Sequence, residues 1–346
     1  MRAATTHDVS QQGDLTATSG VLAIDGGGSK TDVVVLSLEG ALLARERGTG
    51  TNPQVIGVRE SVVVLDGLVE RALTRAPVTL LGSSVYLAGM DLPAEIATFR
   101  RAAAAQSWLS DASVVDVDLF ALLRAGTSAP DAVAVVCGTG INAVGVRADG
   151  ATSRFASLGR VSGDWGGGGD LGAEVLWHAV RAEDGRGPQT ALRELVLRHC
   201  SASSVGELVQ SLHFGHVPAR TVTGLAPLLF EAAESGDPIA ASVVDRQAEE
   251  IATMAVTSLR RLDLLDRSVP VVLGGSVLAA SHPGLIGGIE RALAGRAPLA
   301  HIELVTAPPI LGAGLLALEH VGADGRAVAR AARELSAPGL ATGIAR

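Results

Sequence analysis

Hydrophobic and polar positions follow the same order in two stretches of the chain. In the first stretch, apolar runs at 21–24 and 33–38 flank a polar, glycine-rich turn, and a Glu-Gly turn leads into a third run. The same order returns between 131 and 159, about 110 residues later. Short apolar runs separated by glycine turns are typical of antiparallel strands. The pattern therefore predicts two three-stranded meanders, which we interpret as a duplication.

Each meander is followed by helical spacing and further strands. Apolar spacing predicts, in order, a helix over 58–73, a strand at 80–87, a helix over 93–107, a strand at 113–117 and a helix over 118–125. The third strand of the second meander is predicted at 152–158, and mostly helices follow it. The clearest of these helices begins with Asp237 as N-cap and Pro238 at its first position. Strands are then predicted at 269–273 and 302–306.

This alternation predicts an α/β protein with two related domains and a cleft between them, which each glycine turn faces. The predicted divisions are a disordered tail at 1–19, an N-terminal domain at 20–127, a C-terminal domain at 128–320 and a C-terminal helix at 321–346 that packs back on the N-terminal domain.

The composition narrows the class of partner. The 346 residues are 47% hydrophobic but only 3% aromatic, so we expect a core of Ala, Val and Leu. The formal net charge of -8 and the absence of a basic run argue against nucleic acid or an acidic membrane surface and favour a small molecule. The first twenty residues lack the features of a signal peptide, and no apolar run reaches the roughly 18 residues of a membrane helix. We expect a soluble, cytoplasmic protein.

The first glycine turn holds the only lysine of the chain, Lys30, in the run D-G-G-G-S-K-T at 25–31. Glycines let backbone N–H groups approach an anion closely, and a carboxylate, hydroxyls and a cation in the same turn suit a metal-chelated phosphate. We therefore predict a nucleotide site here, with Asp25 holding magnesium through water. The predicted nucleotide-binding residues of this turn are Gly27, Gly28, Ser29, Lys30 and Thr31.

Two familiar phosphate-binding motifs do not fit this turn. A Walker A loop needs glycine directly before the lysine and again five residues earlier, where this chain has Ser29 and Ile24. A dinucleotide fingerprint needs a third glycine and then a helix, whereas Thr31 takes that place and 32–37 is predicted as a strand. An ordinary glycine-rich hairpin turn remains the alternative.

Phosphoryl transfer to an alcohol also needs a second phosphate loop and a carboxylate near the attacking hydroxyl. The second turn offers backbone amides and a hydroxyl, and its predicted nucleotide-binding residues are Gly138, Thr139 and Gly140. For the base we favour Asp118, which lies where a strand becomes a helix, with Asp116 as the fallback. A purely local N-cap role is the alternative for Asp118.

Two further segments suit a sugar. Asn52, in a Thr-Asn-Pro context after the first meander, could bind hydroxyl groups, although a simple Asn-Pro turn explains it equally well. Four glycines at 166–169 could form a linker, but aspartates bracket the segment and Trp165 suits a sugar face.

Together these pieces resemble the N-acetylglucosamine kinase branch of the BadF/BadG/BcrA/BcrD ATPase family, within the actin, hexokinase and heat-shock chaperone superfamily. The resemblance spans about residues 20–320 in order. It implies two ribonuclease H-like domains of the actin-like ATPase fold, with phosphate loops at 25–31 and 138–140. It places adenosine beside the predicted residues Gly274, Gly275 and Ser276. The predicted acceptor-binding residues are Asn52, Gly89, Asp118, Asp164 and Trp165, and Asp118 is the predicted catalytic base.

The chain departs from the family pattern at two points. Where the family has G-D-E-G, this chain has G-D-W-G at 163–166, so one carboxylate near the sugar is missing. A Gly-Trp pair that lines the family's sugar pocket is replaced by Ser157 and Leu158. The residues for phosphoryl transfer are therefore retained, while the pocket for the amide side group is altered.

The resemblance implies an ATP- and magnesium-dependent kinase that phosphorylates N-acetylglucosamine at the 6-hydroxyl and forms a homodimer. The main alternative is a kinase of glucosamine, N-acetylmuramic acid or an unusual sugar. A dehydratase activator with a bridging iron-sulfur cluster needs two close thiolates per chain, and Cys137 and Cys200 are far apart in sequence. A non-catalytic sugar-sensing regulator would need a DNA-binding helix pair, for which the tail before Gly20 is too short.

Overall fold

The structure is a computed structural model that describes residues 18–337. Most of the predicted tail and the end of the C-terminal segment lie outside this range, and Ser19 already begins the first strand. Within residues 18–337 the strands are β1 (Ser19–Gly26), β2 (Lys30–Ser37), β3 (Leu42–Thr49), β4 (Thr79–Leu87), β5 (Val114–Val117), β6 (Ala132–Cys137), β7 (Ile141–Val146), β8 (Thr152–Arg154), β9 (Pro270–Gly274) and β10 (His301–Leu304).

The helices follow each meander, as the spacing predicts. They are α1 (Pro53–Ile56), α2 (Val58–Arg75), α3 (Pro93–Ala102), α4 (Leu119–Gly126), α5 (Gly168–Asp184), α6 (Leu192–Cys200), α7 (Val205–His213), α8 (Arg220–Thr223), α9 (Ala226–Glu234), α10 (Pro238–Arg261), α11 (Ser276–Ala279), α12 (Pro283–Ala294), α13 (Pro309–His320) and α14 (Gly325–Ser336). No helix among these is long and apolar enough to cross a membrane.

The two five-stranded sheets have the same topology. Their strand orders are β3-β2-β1-β4-β5 and β10-β9-β6-β7-β8. In each sheet the first strand of a meander lies in the centre. The other two strands of the meander follow on one side, each antiparallel to the strand before it, and two later strands run parallel to the central strand on the other side. The predicted α/β fold with two related ribonuclease H-like sheets is confirmed.

Strand β1 reads as a continuous apolar run because it is covered on both faces. Leu22 and Ile24 join a core with α2 and α3, whereas Val21 and Ala23 join a second core with α4, α13 and α14. Successive side chains of a strand point to opposite faces, so a strand between two layers of helix is apolar throughout. This burial fixes the ends of β1 and β4, where the polar residues of the site begin.

The last two described helices pack on the first sheet. Helix α13 lies against α4 so closely that a Cβ atom on Gly312 would stand 1.8 Å from the carbonyl oxygen of Ala121. In α14 the carboxylate of Glu334 accepts a 2.6 Å hydrogen bond from the amide of Leu42 at the start of β3. By its contacts α13 belongs with the first sheet, although it falls within 128–320. The domain boundaries themselves stay a prediction.

Two predicted elements end well before their predicted last residue. Strand β8 ends at Arg154 instead of 158, because Ser157 takes a left-handed conformation with φ of 49° and a 3-10 turn follows at Gly159–Ser162. Helix α3 ends at Ala102 instead of 107.

Candidate active site

Two carboxylates meet where the parallel strands of the first sheet end. Asp25 is the second-last residue of β1, and Asp118 follows β5 and directly precedes α4. The backbone amide of Asp118 donates to the carbonyl of Leu87 at the end of β4, which holds the turn against the sheet. Each carboxylate lies close enough to the other that Asp118 raises the pKa of Asp25. We predicted from the sequence that Asp25 and Asp118 face one cleft, and the fold brings them together.

Asp25 is nearly buried, with a side chain 8% exposed, and its carboxylate has no hydrogen-bond partner among residues 18–337. Burial, then the charges of Asp118 and Asp32, raise its pKa to about 8, against smaller opposite effects of Lys30 and Arg47. Such a shift measures how strongly this position disfavours an unpaired negative charge. A cation at this carboxylate would relieve that cost.

Asp32, opposite Asp25 on β2, is already neutralised. Arg47 donates to its carboxylate through two nitrogens at 2.9 Å each, and Arg45 donates at 3.0 Å. Asp25 is therefore the carboxylate of this pair that is left for a metal. Magnesium keeps several waters and is commonly held by one or two carboxylates together with substrate phosphates, so Asp25 alone fits the predicted magnesium role.

Asp118 occupies the N-cap position of α4, but its side chain makes no capping hydrogen bond. Burial raises the pKa of its carboxyl group to about 6, while the amides of Asp118 and Leu119 lower it. A local capping role therefore does not account for this residue. A carboxylate with a pKa just below neutrality is well suited to accept a proton.

The fallback base, Asp116, is not available for this role. Its carboxylate accepts two hydrogen bonds of 2.6 Å from Arg154 on β8, and a third of 2.7 Å from the amide of Val117. Strand β5 ends at Val117, so Asp116 and Asp118 do not share a strand face. Asp116 instead ties the edge strand of the first sheet to the edge strand of the second.

The first glycine turn is tight and packs against the end of β3. The amide of Gly27 donates to the carbonyl of Lys30 at 2.9 Å, and a Cβ atom on Gly50 would stand 2.3 Å from the carbonyl oxygen of Gly28. Gly28, Ser29 and Lys30 are exposed, as a phosphate loop requires. Thr31 differs from the expectation, because its buried hydroxyl is bonded to that of Thr51 at 2.8 Å. Thr31 supports the turn from behind.

The second glycine turn is covered by the start of α5. The amides of Gly168 and Gly169 donate to the carbonyls of Gly138 and Thr139 at 2.8 and 2.9 Å. A Cβ atom on Gly167 would stand 2.4 Å from the Cα of Gly140. Packing between this turn and α5 therefore requires glycine at 167, and Gly166 has a positive φ of 119°, so a flexible linker does not explain this run.

A cavity of about 530 Å³ opens beside the second turn. Gly138, Thr139 and Ser276 line it, as predicted for a nucleotide site. Gly274 and Gly275 precede Ser276 but do not line the cavity themselves. A Cβ atom on the first would stand 2.7 Å from Leu122, and one on the second 2.4 Å from the carbonyl oxygen of Cys137. The remaining lining comes largely from α9 and the start of α12, which the sequence analysis did not identify: Thr223, Gly224, Ala226, Pro227, Phe230, Glu231, Glu234, His282 and Pro283.

Asn52 and Gly89 lie against each other in the loops that follow β3 and β4 of the first sheet. The side-chain oxygen of Asn52 accepts a 2.8 Å bond from the amide of Gln54 and caps α1, so the Asn-Pro turn is real. Its amide nitrogen has no hydrogen-bond partner in the described part of the chain and can serve a ligand. Gly89 has φ of 78°, and a Cβ atom there would stand 2.4 Å from the Asn52 oxygen.

Asp91 was not predicted from the sequence, and it links the loop after β4 of the first sheet to the second sheet. Its carboxylate accepts a 2.7 Å bond from the side chain of Asn142 on β7 and a 3.2 Å bond from Gln54. Burial, and then the charges of Glu95, Asp118 and Asp164, raise its pKa to about 7. Asp91 therefore lies among the predicted acceptor residues, only two positions after Gly89.

Asp164 belongs to this group through its effect on the pKa of Asp91, but Trp165 does not. The Trp165 side chain is 5% exposed and forms part of the core of the second sheet. The guanidinium of Arg246 covers its ring at 3.7 Å from the centroid, and its indole nitrogen is buried without a hydrogen bond. The ring does not present an open face to a sugar, contrary to the expectation.

Comparison with known proteins gives a consistent result. The profile of the BadF/BadG/BcrA/BcrD ATPase family matches residues 22–317. The chain is 25% identical to an N-acetyl-D-glucosamine kinase of Dictyostelium discoideum over 317 residues, which is 86% of this chain and 97% of the relative. It is 23% identical to an N-acetylmuramic acid/N-acetylglucosamine kinase of Clostridium acetobutylicum over 261 residues, covering 75% and 85%.

Solved structures share the fold. A candidate N-acetylglucosamine kinase from Chromobacterium violaceum aligns with a TM-score of 0.64 at 22% identity, and the match covers 86% of this chain and 98% of that one.

Proposed function

This chain belongs to the BadF/BadG/BcrA/BcrD ATPase family, and we propose that it is an ATP-dependent sugar kinase whose acceptor is N-acetylglucosamine. The names of the two curated relatives support this activity, since both are kinases of N-acetylglucosamine. The reaction would transfer the γ-phosphate of ATP to the 6-hydroxyl of the sugar.

One observation carries the proposal: a metal-type carboxylate and a base-type carboxylate lie at the same end of the first sheet. Asp25 is buried and unpaired, which suits a cation, and Asp118 has a pKa of about 6, which suits proton transfer. The exposed first turn and the second turn beside the cavity supply amides for phosphate. Few functions other than phosphoryl transfer need this combination.

In the proposed mechanism the carboxylate of Asp118 accepts the proton of the sugar hydroxyl. The oxygen then forms a bond to the γ-phosphorus, and the bond from that phosphorus to the β–γ bridging oxygen breaks, which releases ADP. Lys30 and the amides of both glycine turns stabilise the negative charge on the transferred group. When bound through Asp25 and water, Mg²⁺ would neutralise charge on the ATP phosphates.

The choice of N-acetylglucosamine over related sugars rests on resemblance, and another amino sugar is the second candidate. The relative from Clostridium acetobutylicum also carries N-acetylmuramic acid in its name. The dehydratase-activator alternative has no support in the cysteines: Cys137 is buried and donates to the carbonyl of Gly166 at 3.1 Å, while Cys200 ends helix α6. The expectations of a homodimer and of a cytoplasmic location stay predictions.

A coupled ADP-release assay tests the proposal. It would use ATP and Mg²⁺ with N-acetylglucosamine, glucosamine, N-acetylmannosamine, N-acetylmuramic acid and glucose, with Asp118→Asn as the inactive control. We expect turnover with N-acetylglucosamine that falls about 10²- to 10⁴-fold in the variant. Turnover on another amino sugar alone would correct the acceptor, and no turnover on any sugar would refute the kinase assignment.

A further inference from the structure

Two carboxylates from α9 line the cavity beside the second glycine turn, and they differ in their partners. Glu231 is paired with Arg198 at 3.2 Å. The polar neighbour of Glu234 is His282, whose Nε2 lies 3.4 Å from Oε1 of Glu234. Glu234 is therefore the carboxylate at the rim of this cavity that is not already engaged by an arginine.

The contacts of His282 determine which of its ring nitrogens carries the hydrogen. Its Nδ1 accepts a 3.3 Å hydrogen bond from the amide of Leu285 and so caps helix α12. An Nδ1 that accepts cannot carry a hydrogen, so the neutral ring carries its hydrogen on Nε2. The ring is only 9% exposed, and Nε2 is buried without a hydrogen bond of its own. Nε2 lies 3.4 Å from Oε1 of Glu234, and a small rotation of the exposed Glu234 side chain would let its carboxylate accept this hydrogen at the cavity.

The position of Glu234 suits the base of a nucleotide. Helix α9 starts beside Thr223 and Gly224, which line the cavity next to the phosphate turn. A helix rises 1.5 Å per residue, so Glu234 at its other end lies about 12 Å further along. Phe230, one turn before Glu234, adds an aromatic wall and lies with its ring centroid 5.0 Å from that of His282.

We infer that Glu234, oriented by His282, recognises the 6-amino group of a purine base. This inference rests on the proposed use of ATP and adds the residues that select its base. A carboxylate only accepts hydrogen bonds, so it can accept one from an N–H of a 6-amino group and repels a 6-oxo group at the same place. A site that pairs with a substrate N–H discriminates strongly against the analogue that lacks it.

The test compares three nucleotides that differ at position 6: ATP, ITP with an oxygen, and purine riboside triphosphate with hydrogen. Their binding in Mg²⁺ would be measured by calorimetry without sugar, together with kcat/KM in the ADP-release assay. We expect wild-type protein to prefer ATP over both analogues by about tenfold or more, and Glu234→Gln to lose most of that preference. Glu231→Gln, on the same helix, is the matched control and should keep it.

His282→Asn separates the role of the ring from its capping role. Asparagine is a good N-cap residue, so this variant should retain the stability of α12 while it loses the Nε2 hydrogen. We expect a reduced preference for ATP at an unchanged melting temperature. An unchanged preference here would overturn the orienting role of His282.

Other outcomes distinguish the role of Glu234 from the kinase assignment. An unchanged preference in Glu234→Gln, or an equal loss in Glu231→Gln, would overturn the inference and leave the kinase assignment intact. A wild-type protein that binds none of the three nucleotides would overturn both.

Discussion

Asn142 donates a 2.7 Å hydrogen bond from Nδ2 to the carboxylate of Asp91, and this bond joins the second sheet to the loop that follows β4 of the first. The other oxygen of Asp91 accepts from Gln54, two residues after Asn52. The predicted acceptor end of the cleft is thus held together by a polar chain that includes both sheets. Side chains in such a chain lose their orientation when one member is removed.

Removal of this link should weaken sugar binding selectively. We expect Asp91→Ala to raise the KM for the sugar about tenfold and to leave the KM for ATP unchanged, because a lost hydrogen bond to a charged group costs about 1.5–3 kcal/mol. Asp91→Asn keeps an oxygen that can accept from Asn142 and should retain most of the affinity. Steady-state kinetics with each substrate varied in turn would check this. An equal rise in both KM values would indicate general structural damage.

The activity should depend on pH through Asp118. The base acts as a carboxylate, and its pKa is about 6, so kcat at saturating ATP, Mg²⁺ and sugar should rise with pH to a plateau, with a midpoint near that value. The same profile measured on Asp116→Asn is the control, because Asp116 is engaged with Arg154 away from the reacting groups. A wild-type profile without a rise near pH 6, or a midpoint that moves in Asp116→Asn, would contradict the assignment.

Asp25 should make the free protein less stable at alkaline pH. The folded state raises the pKa of this carboxyl group from 3.8 to about 8, so the folded chain binds more protons than the unfolded chain between these values. The free energy of unfolding therefore falls as the pH rises through this window. We expect Asp25→Asn, which cannot ionise, to melt at a higher temperature than wild type at pH 8, with a smaller difference at pH 5.

Addition of ATP and Mg²⁺ should reverse this order at pH 8. Ligands that bind the folded state raise its stability, and we expect wild type to gain more than Asp25→Asn. Melting curves with ATP alone, with Mg²⁺ alone and with both would separate the metal from the nucleotide. An equal gain in both proteins would remove Asp25 from the metal site.

Gly89 and Gly57 form a matched pair for testing the position of Asn52. Both have positive φ, of 78° and 86°. A Cβ atom added to Gly89 would stand 2.4 Å from the side-chain oxygen of Asn52, whereas one added to Gly57 would meet no atom within 4 Å. Alanine at either position should cost roughly 1 kcal/mol of backbone strain. We expect Gly89→Ala alone to raise the sugar KM, measured beside Gly57→Ala. Equal KM values in the two variants would show that Asn52 does not contact the sugar.

Trp165 provides a test in which we expect the sugar KM to stay unchanged. Trp165→Phe keeps an aromatic ring beneath Arg246 and removes a buried N–H group that has no partner. We expect no loss of stability beyond about 1 kcal/mol in denaturant unfolding, since the smaller ring is offset by the removal of an unsatisfied donor. The sugar KM should not change. A large rise in that KM at unchanged stability would show that the indole contacts the acceptor after all.

The sequence predicted those parts of the site that local chain geometry determines. Asp25 and the glycines after it interrupt a buried strand, and Asp118 stands at a strand-to-helix junction. Such junctions are visible in one dimension because the hydrophobic period changes there. The repeated meander was visible for the same reason, and with it the relation between the two sheets.

The parts that depend on distant segments could not be predicted. Asp91 gains its role from Asn142, a polar residue inside a strand, and neither position is unusual by itself. Trp165 is buried in the core of the second sheet with Arg246 of α10 over its ring, and nothing near Trp165 in sequence indicates this. Glu234 and His282 come from different helices and meet only in the folded chain.

The single lysine gives this protein a natural site for selective chemical labelling. Lys30 is exposed on the first glycine turn, while the other permanently cationic side chains are arginines, which amine-selective reagents leave unmodified. An acylating reagent would therefore have one lysine to modify, directly at the predicted phosphate loop. The mass of the modified peptide would then report occupancy of that loop without any engineered tag, and a probe attached there would sense each nucleotide that arrives.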